Sequence, residues 1–188
     1  LDFAVKSLLN LKGDLIEQRW YQVLFYSHVT GGAIAIAVGG FQFSERLLRT
    51  RLKWHRVIGK VYIGAIAWSG TTGLIIALLA YGGWLAKLGF VTMAIGWLYT
   101  TTKGYLTIRA GKVLEHQRWM IRSYAFTLAA LSFRLWLLGG PVFDLDFVLV
   151  YRIASWASWV GNIVLAEWLL AKGYVGNQLI KAPGTLVG

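Results

Sequence analysis

The chain has 188 residues, of which 57% are hydrophobic and only 14% charged, well below the roughly 25% charged of a typical soluble domain. With no cysteine and three histidines, disulfides, iron–sulfur clusters, thiolate zinc sites and cysteine nucleophiles are excluded, and a haem or metal site has the minimum of nitrogen ligands. The net charge of +11 sits between apolar runs rather than on a folded basic face, so anionic lipid is the expected partner and nucleic acid is not.

In chain order, Leu1–Arg19 is mixed in character and is expected to be an amphipathic lead-in at the membrane surface; it has neither the basic start nor the apolar stretch of a signal peptide. Five apolar runs then follow, each of about 20 residues, enough to cross the hydrocarbon core as a helix. The expected spans are 20–40, 54–81, 84–105, 115–139 and 147–171. The second and fourth begin before their apolar runs, near Trp54 and Glu115, because no glycine or proline breaks the helix there. Pro141, Asp144 and Asp146 mark the turn into the fifth. No linker, low-complexity tract or repeat interrupts the series. The fold class is therefore all-α, a single polytopic transmembrane bundle.

Orientation follows from Lys and Arg in the short connections. Arg46, Arg49, Arg51, Lys53, Arg56 and Lys60, then Lys103, Arg109, Lys112, Arg118 and Arg122, then Lys172 and Lys181 put 13 of the 19 cations on one side. That side is expected to be cytoplasmic and to include the C-terminus. Tyr21, Tyr81, Trp84 and Tyr151 are expected at the outer interface, and Trp54, Trp119 and Trp168 at the inner one.

Small residues recur at helical spacing at Gly31, Gly32, Ala35 and Gly39, beside His28, and at Gly59, Gly70 and Gly73. Close helix packing is the first explanation of such stripes; room for a flat cofactor or lipid is the second.

Polar residues inside membrane helices are costly, so each is a functional candidate. They are His28, Arg134, Arg152, Asn162 and Glu167, with His55 and His116 at the inner rim. His28, nine residues past Arg19, lies about 14 Å along the axis, near the bilayer middle. His55 and His116 start two helices from the same side at similar depth, flanked by Arg56 and by Arg118 and Arg122. Such a pair can ligate a haem b iron, with the arginines on its carboxylates, or handle a quinone. The alternative is a cationic rim for lipid headgroups. Arg134, with Ser123 and Thr127, forms the most polar stripe of the fourth span, which could serve a proton path with Glu167; snorkelling of Arg134 is the simpler account. No phosphate loop, nucleophile elbow or histidine pair at metal spacing on one helix occurs, so no catalytic residue and no metal site is assigned.

The segments Tyr26-Ser27-His28-Val29-Thr30-Gly31-Gly32, Gly40-Phe41-Gln42-Phe43, His55-Arg56-Val57-Ile58-Gly59-Lys60-Val61-Tyr62, His116 to Ala125, and Phe133-Arg134-Leu135-Trp136 together resemble the bacterial membrane proteins grouped as domain of unknown function 2306, over about residues 20–170. The resemblance implies a bacterial cytoplasmic membrane, one further helix before Leu1, and interest in His28, Gln42, His55, Arg56, Gly59, His116, Arg118, Trp119, Arg122 and Arg134, with no reaction attached. The expected role is an accessory membrane subunit whose basic cytoplasmic rim holds lipid headgroups or other membrane subunits. The alternative is a haem- or quinone-handling redox protein.

Overall fold

A computed structural model describes residues 14–175; the lead-in up to residue 13, and Lys181 with it, lie outside the described residues. The elements are α1 (Asp14–Glu17), α2 (Arg19–Phe41), α3 (Glu45–Thr50), α4 (Leu52–Leu78), α5 (Trp84–Arg109), α6 (Val113–Gly139), a 3₁₀ turn (Gly140–Phe143) and α7 (Phe147–Ala171). No strand occurs among the described residues. A helix of 27 residues such as α4 or α6 is about 40 Å long, so its ends stand beyond a hydrocarbon layer of about 30 Å.

By length and composition α2, α4, α6 with its 3₁₀ turn, and α7 can each cross a membrane. The expectation of five apolar spans is thereby corrected to four. Helix α5 has the length, 26 residues, but its lysines and threonines dilute its apolar character. Much of that polarity is turned inward: Thr100 and Thr101 are buried, and their hydroxyls donate to the carbonyls of Gly96 at 2.8 Å and Trp97 at 2.7 Å. A threonine that satisfies itself on its own helix is tolerated in an apolar interior.

Neighbouring helices alternate in direction, and the glycines show the register. Gly31 of α2 lies against Ser69 of α4, Gly70 of α4 against Leu98 of α5, Gly96 and Gly104 of α5 against Phe126 and Met120 of α6, and Gly89 of α5 against Ser155 of α7. So α2 and α5 run antiparallel to α4 and α6. The latter two are parallel and stand across the bundle from each other, with α2 and α5 between them.

Two packed clusters fill the interior. One holds Ala35, Tyr62, Ile66, Trp97 and Phe126; the other, toward the α4–α5 turn, holds Ala86, Leu137, Val150 and Tyr151. In the second, Phe90, Phe133 and Tyr151 meet edge to face with centroids 5.4–5.6 Å apart, the geometry that aromatic quadrupoles favour. Tyr21 and Tyr151 are buried core residues, which corrects their expected place in an outer aromatic belt. Trp54, Trp84 and Trp168 are exposed. Trp119 is half-buried, beneath Arg122 and edge-on to Tyr99.

The connections are short and pinned. Gly82 and Gly83 have φ of 88° and 80°, a left-handed region open to glycine, and reverse the chain between α4 and α5. Arg152 Nε donates to the Gly82 carbonyl at 2.7 Å and Trp156 Nε1 to that of Leu85 at 3.0 Å, tying α7 to this turn. Asp146 caps α7 by accepting from the Leu149 amide at 2.9 Å, as its place before the helix implies.

Candidate functional site

The polar residues of the outer and middle bundle are occupied by one another. His28 Nδ1 donates to the Ser69 carbonyl at 2.9 Å, and Ser69 Oγ donates back to the His28 carbonyl at 2.7 Å. The ring fits only because position 73 is glycine: a Cβ there would stand 2.6 Å from Nδ1. His28 therefore clamps α2 to α4. Asn162 accepts from Ser132 at 3.0 Å and donates to the Ala125 carbonyl at 3.1 Å, joining α6 to α7. Arg134 is exposed and donates to the Ala130 carbonyl of its own helix at 2.8 Å. It makes no ion pair among the described residues.

Glu167 meets Arg122, which grips it through Nε and Nη2 and also stacks over Trp119 at 4.9 Å. A two-pronged pair with a cation–π contact fixes the guanidinium. Arg122 is thus a helix-joining residue on the side of the rim, and neither Arg56 nor Arg118 is Glu167's partner.

At the centre, α4, α5 and α6 share a buried hydroxyl network. Tyr62 Oη lies 3.0 Å from Ser123 Oγ and 2.9 Å from Thr127 Oγ1; Trp97 Nε1 donates to Thr127 Oγ1 at 2.9 Å; Thr101 Oγ1 lies 2.8 Å from Ser123 Oγ. Proton counting gives one arrangement that serves every contact. Thr127 donates to the Ser123 carbonyl at 3.0 Å, so Tyr62 donates to Thr127, Ser123 donates to Tyr62, and Thr101 shares its proton between Ser123 and the Trp97 carbonyl. The chain ends on a backbone carbonyl with no donor to spare. It is a clamp between helices.

The network also sets the inner end of the bundle. His55 lies seven residues before Tyr62, and His116 seven before Ser123. Seven residues are two turns, about 10 Å, with only about 20° of drift. On parallel helices the Tyr62–Ser123 contact therefore sets His55 and His116 at a common level, nearer the cationic surface. His116 Nδ1 donates to the Gly104 carbonyl at 2.7 Å. The neutral ring then carries its lone pair on Nε2. His55 Nδ1, Gln42 Nε2 and Gln117 Oε1 are buried without a hydrogen-bond partner, and the Gln42 amide lies over Gly59, one turn along from His55. Buried polar atoms left unmatched are uncommon and costly. Here His55 Nδ1 and Gln42 Nε2 belong to residues packed about one turn apart along α4.

Beyond the histidines lies the cationic rim. Among the described residues it has two acid–base pairs, Glu45 with Arg49 at 3.8 Å and Lys112 with Glu115 at 3.3 Å, all exposed and weak for that reason. Arg46, Arg51, Lys53, Arg56 and Arg118 are exposed and make no ion pair among the described residues. A cavity of 660 Å³ opens between α3 and the start of α4, lined by Arg46, Thr50, Arg51, Leu52, Lys53 and Trp54. No carboxylate lines it.

Sequence reasoning singled out His55, His116, Arg56 and Arg118, which share this end. It missed Gln117, and also Ser69, Trp97 and Thr101, whose partners belong to helices distant in sequence. The available signal was the match in spacing from His55 to Tyr62 and from His116 to Ser123. No group of three histidine or acidic side chains that could hold a metal ion occurs among the described residues. Neither the curated proteins nor the solved structures give a match to this chain. The profile of one family, described as predicted membrane protein and designated DUF2306, matches residues 25–170, a stretch that takes in α3 to α6 whole, most of α2, all but the last residue of α7, and all three histidines. The chain is a multi-pass membrane protein belonging to the domain of unknown function 2306 family.

Proposed function

We propose that the protein is an accessory subunit of the bacterial cytoplasmic membrane whose cationic end, with the C-terminus, faces the cytoplasm and holds the headgroups of acidic phospholipids. The reading rests on the cavity lined by Arg46, Arg51 and Lys53 with Thr50 and Trp54, where three cations converge without a carboxylate at the level of the headgroups. A phosphate there meets charge and a hydroxyl, while Trp54 and Leu52, both exposed, stay in contact with the acyl boundary. Each basic residue near an anionic surface contributes about 1 kcal/mol, screened by salt. The bundle acts by holding lipid and a neighbouring subunit, without turnover of its own.

Lipid retention tests this directly. In detergent, the protein is expected to retain phosphatidylglycerol in preference to phosphatidylcholine, the preference fading as salt is raised. Substituting Arg46, Arg51 and Lys53 together by glutamine is expected to weaken retention by roughly 100-fold. Equal retention of the two lipids, or a triple variant that binds as the parent does, overturns the proposal.

A further inference from the structure

A second groove, of 660 Å³, starts at the end of the bundle opposite the cationic rim and runs along the outward face of α2 from Arg19 to Ile34, with Ala65 and Trp68 of α4 on its other side. From Arg19 to Ile34 is 15 residues, about 22 Å of helix, and half of a bilayer with its headgroups measures about 20–22 Å. Ala65, at the inner end, is the middle residue of α4 (Leu52–Leu78). The groove therefore begins at one surface and stops near the centre of the membrane. Its chemistry changes with depth. At the mouth Arg19 is exposed and makes no ion pair among the described residues, and no carboxylate lines the groove. Further in come the Gln22 amide and the hydroxyls of Tyr26 and Ser27, neither hydroxyl bonded to a partner among the described residues. The deep end is Gly31, Ile34, Ala65 and the Trp68 ring, which is 62% exposed. Tryptophan favours membrane interfaces; exposed within a turn of the middle of its helix, this one makes a flat apolar wall. A cation, then hydrogen-bond donors, then apolar surface, in that order across one leaflet, match the phosphate, ester carbonyls and acyl chain of a single phospholipid. A partner helix crossing about 30 Å of hydrocarbon would need a seat that continues past the middle.

We propose that the α2–α4 groove binds one phospholipid of the leaflet opposite the cationic rim, with its phosphate on Arg19, its ester carbonyls at Gln22, Tyr26 and Ser27, and one acyl chain against Gly31, Ile34 and Trp68. Because the phosphate is common to all phospholipids and the groove presents one cation, this site holds phosphatidylcholine as well as phosphatidylglycerol, unlike the rim. The inward glycine faces take no part. Gly39, Gly70 and Gly73 are filled by side chains of neighbouring helices, so the expectation of a flat-ligand slot along those faces is set aside in favour of packing. His28 takes no part either, because Ser69 holds it.

The test uses the variant with Arg46, Arg51 and Lys53 replaced by glutamine, so that the rim does not contribute. This protein is delipidated in detergent, titrated with dipalmitoyl phosphatidylcholine and read by native mass spectrometry. The expected result is saturation at one lipid per chain, with little dependence on salt, and binding of dihexanoyl phosphatidylcholine weaker by about tenfold or more, because its chains cannot reach the deep end. Arg19→Gln is expected to weaken binding by about tenfold. Thr30→Phe, at an exposed position lining the groove, is expected to fill it and abolish the bound lipid, whereas Thr92→Phe, exposed but outside the groove, leaves it unchanged. Circular dichroism and gel filtration identify variants that remain folded. The proposal is overturned if no single lipid saturates, if short and long chains bind equally, or if folded Arg19→Gln and Thr30→Phe variants bind as the parent does. Failure here leaves the rim reading standing, because the two sites share no residue and the rim is judged by its salt-sensitive preference for phosphatidylglycerol.

Discussion

Replacing Tyr62 by alanine is expected to destabilise the bundle by about 3–5 kcal/mol, the range for deleting a buried aromatic side chain. Tyr62→Phe is expected to cost only about 0.6–1.7 kcal/mol, as measured for hydrogen bonds between membrane helices. The ring is 1% exposed and touches the Gly39 face of α2 while its hydroxyl bridges to α6. Packing is thus the larger of its two contributions. In the phenylalanine variant Ser123 can turn its proton to another acceptor, which limits the loss. Thermal or denaturant unfolding in one detergent gives both values. A phenylalanine variant as unstable as the alanine variant contradicts this division.

Gly39→Ala is expected to destabilise by about 1–3 kcal/mol even though alanine is the better helix former. A Cβ at this position would lie 2.6 Å from the Tyr124 ring and 2.7 Å from the Tyr62 ring. Both rings are hard to move: Tyr62 is fixed by two hydrogen bonds, and Tyr124 packs against Phe43 at 5.2 Å. Overpacking therefore exceeds the propensity gain of about 1 kcal/mol. Gly64 isolates that gain, since a Cβ there meets nothing within 4 Å. Gly64→Ala is expected to be neutral or stabilising by up to about 1 kcal/mol. Unfolding midpoints of the two variants must move in opposite directions, or Gly64→Ala must stay at the parent value while Gly39→Ala falls.

Much of this architecture was legible because a bilayer imposes a length and a polarity that hydropathy reports directly. Helices α2, α4, α6 and α7 stand out for that reason. Helix α5 shows where the signal weakens: Lys87, the threonine run from Thr100 to Thr102, and Lys103 make it look less apolar, although Thr100 and Thr101 face the interior and bond to their own helix. The candidate site was legible in part. His55 and His116 were identifiable because ionisable groups are rare in lipid-spanning segments. Which partners satisfy the others was not, because Ser69 lies 41 residues from His28 and Glu167 lies 45 from Arg122. Helical periodicity says which face a residue occupies, but not which helix lies opposite. The tyrosines show the same limit. Tyr21 and Tyr151 have the composition of interface residues, and only the packing of α5, α6 and α7 shows Tyr151 to be core.

The central claim is that the turns of this bundle lie at two opposite surfaces, with the cationic turns together at one of them. Because the chain has no cysteine, single cysteines report on this without background. Arg51→Cys, Lys112→Cys and Lys172→Cys are expected to react with a membrane-impermeant maleimide only in inside-out vesicles. Tyr81→Cys and Leu145→Cys are expected to react only in right-side-out spheroplasts. This pattern also requires α5 to carry the chain from one surface to the other. Reaction of Tyr81→Cys and Lys112→Cys from the same side, or of the cationic positions from both sides, would contradict the account.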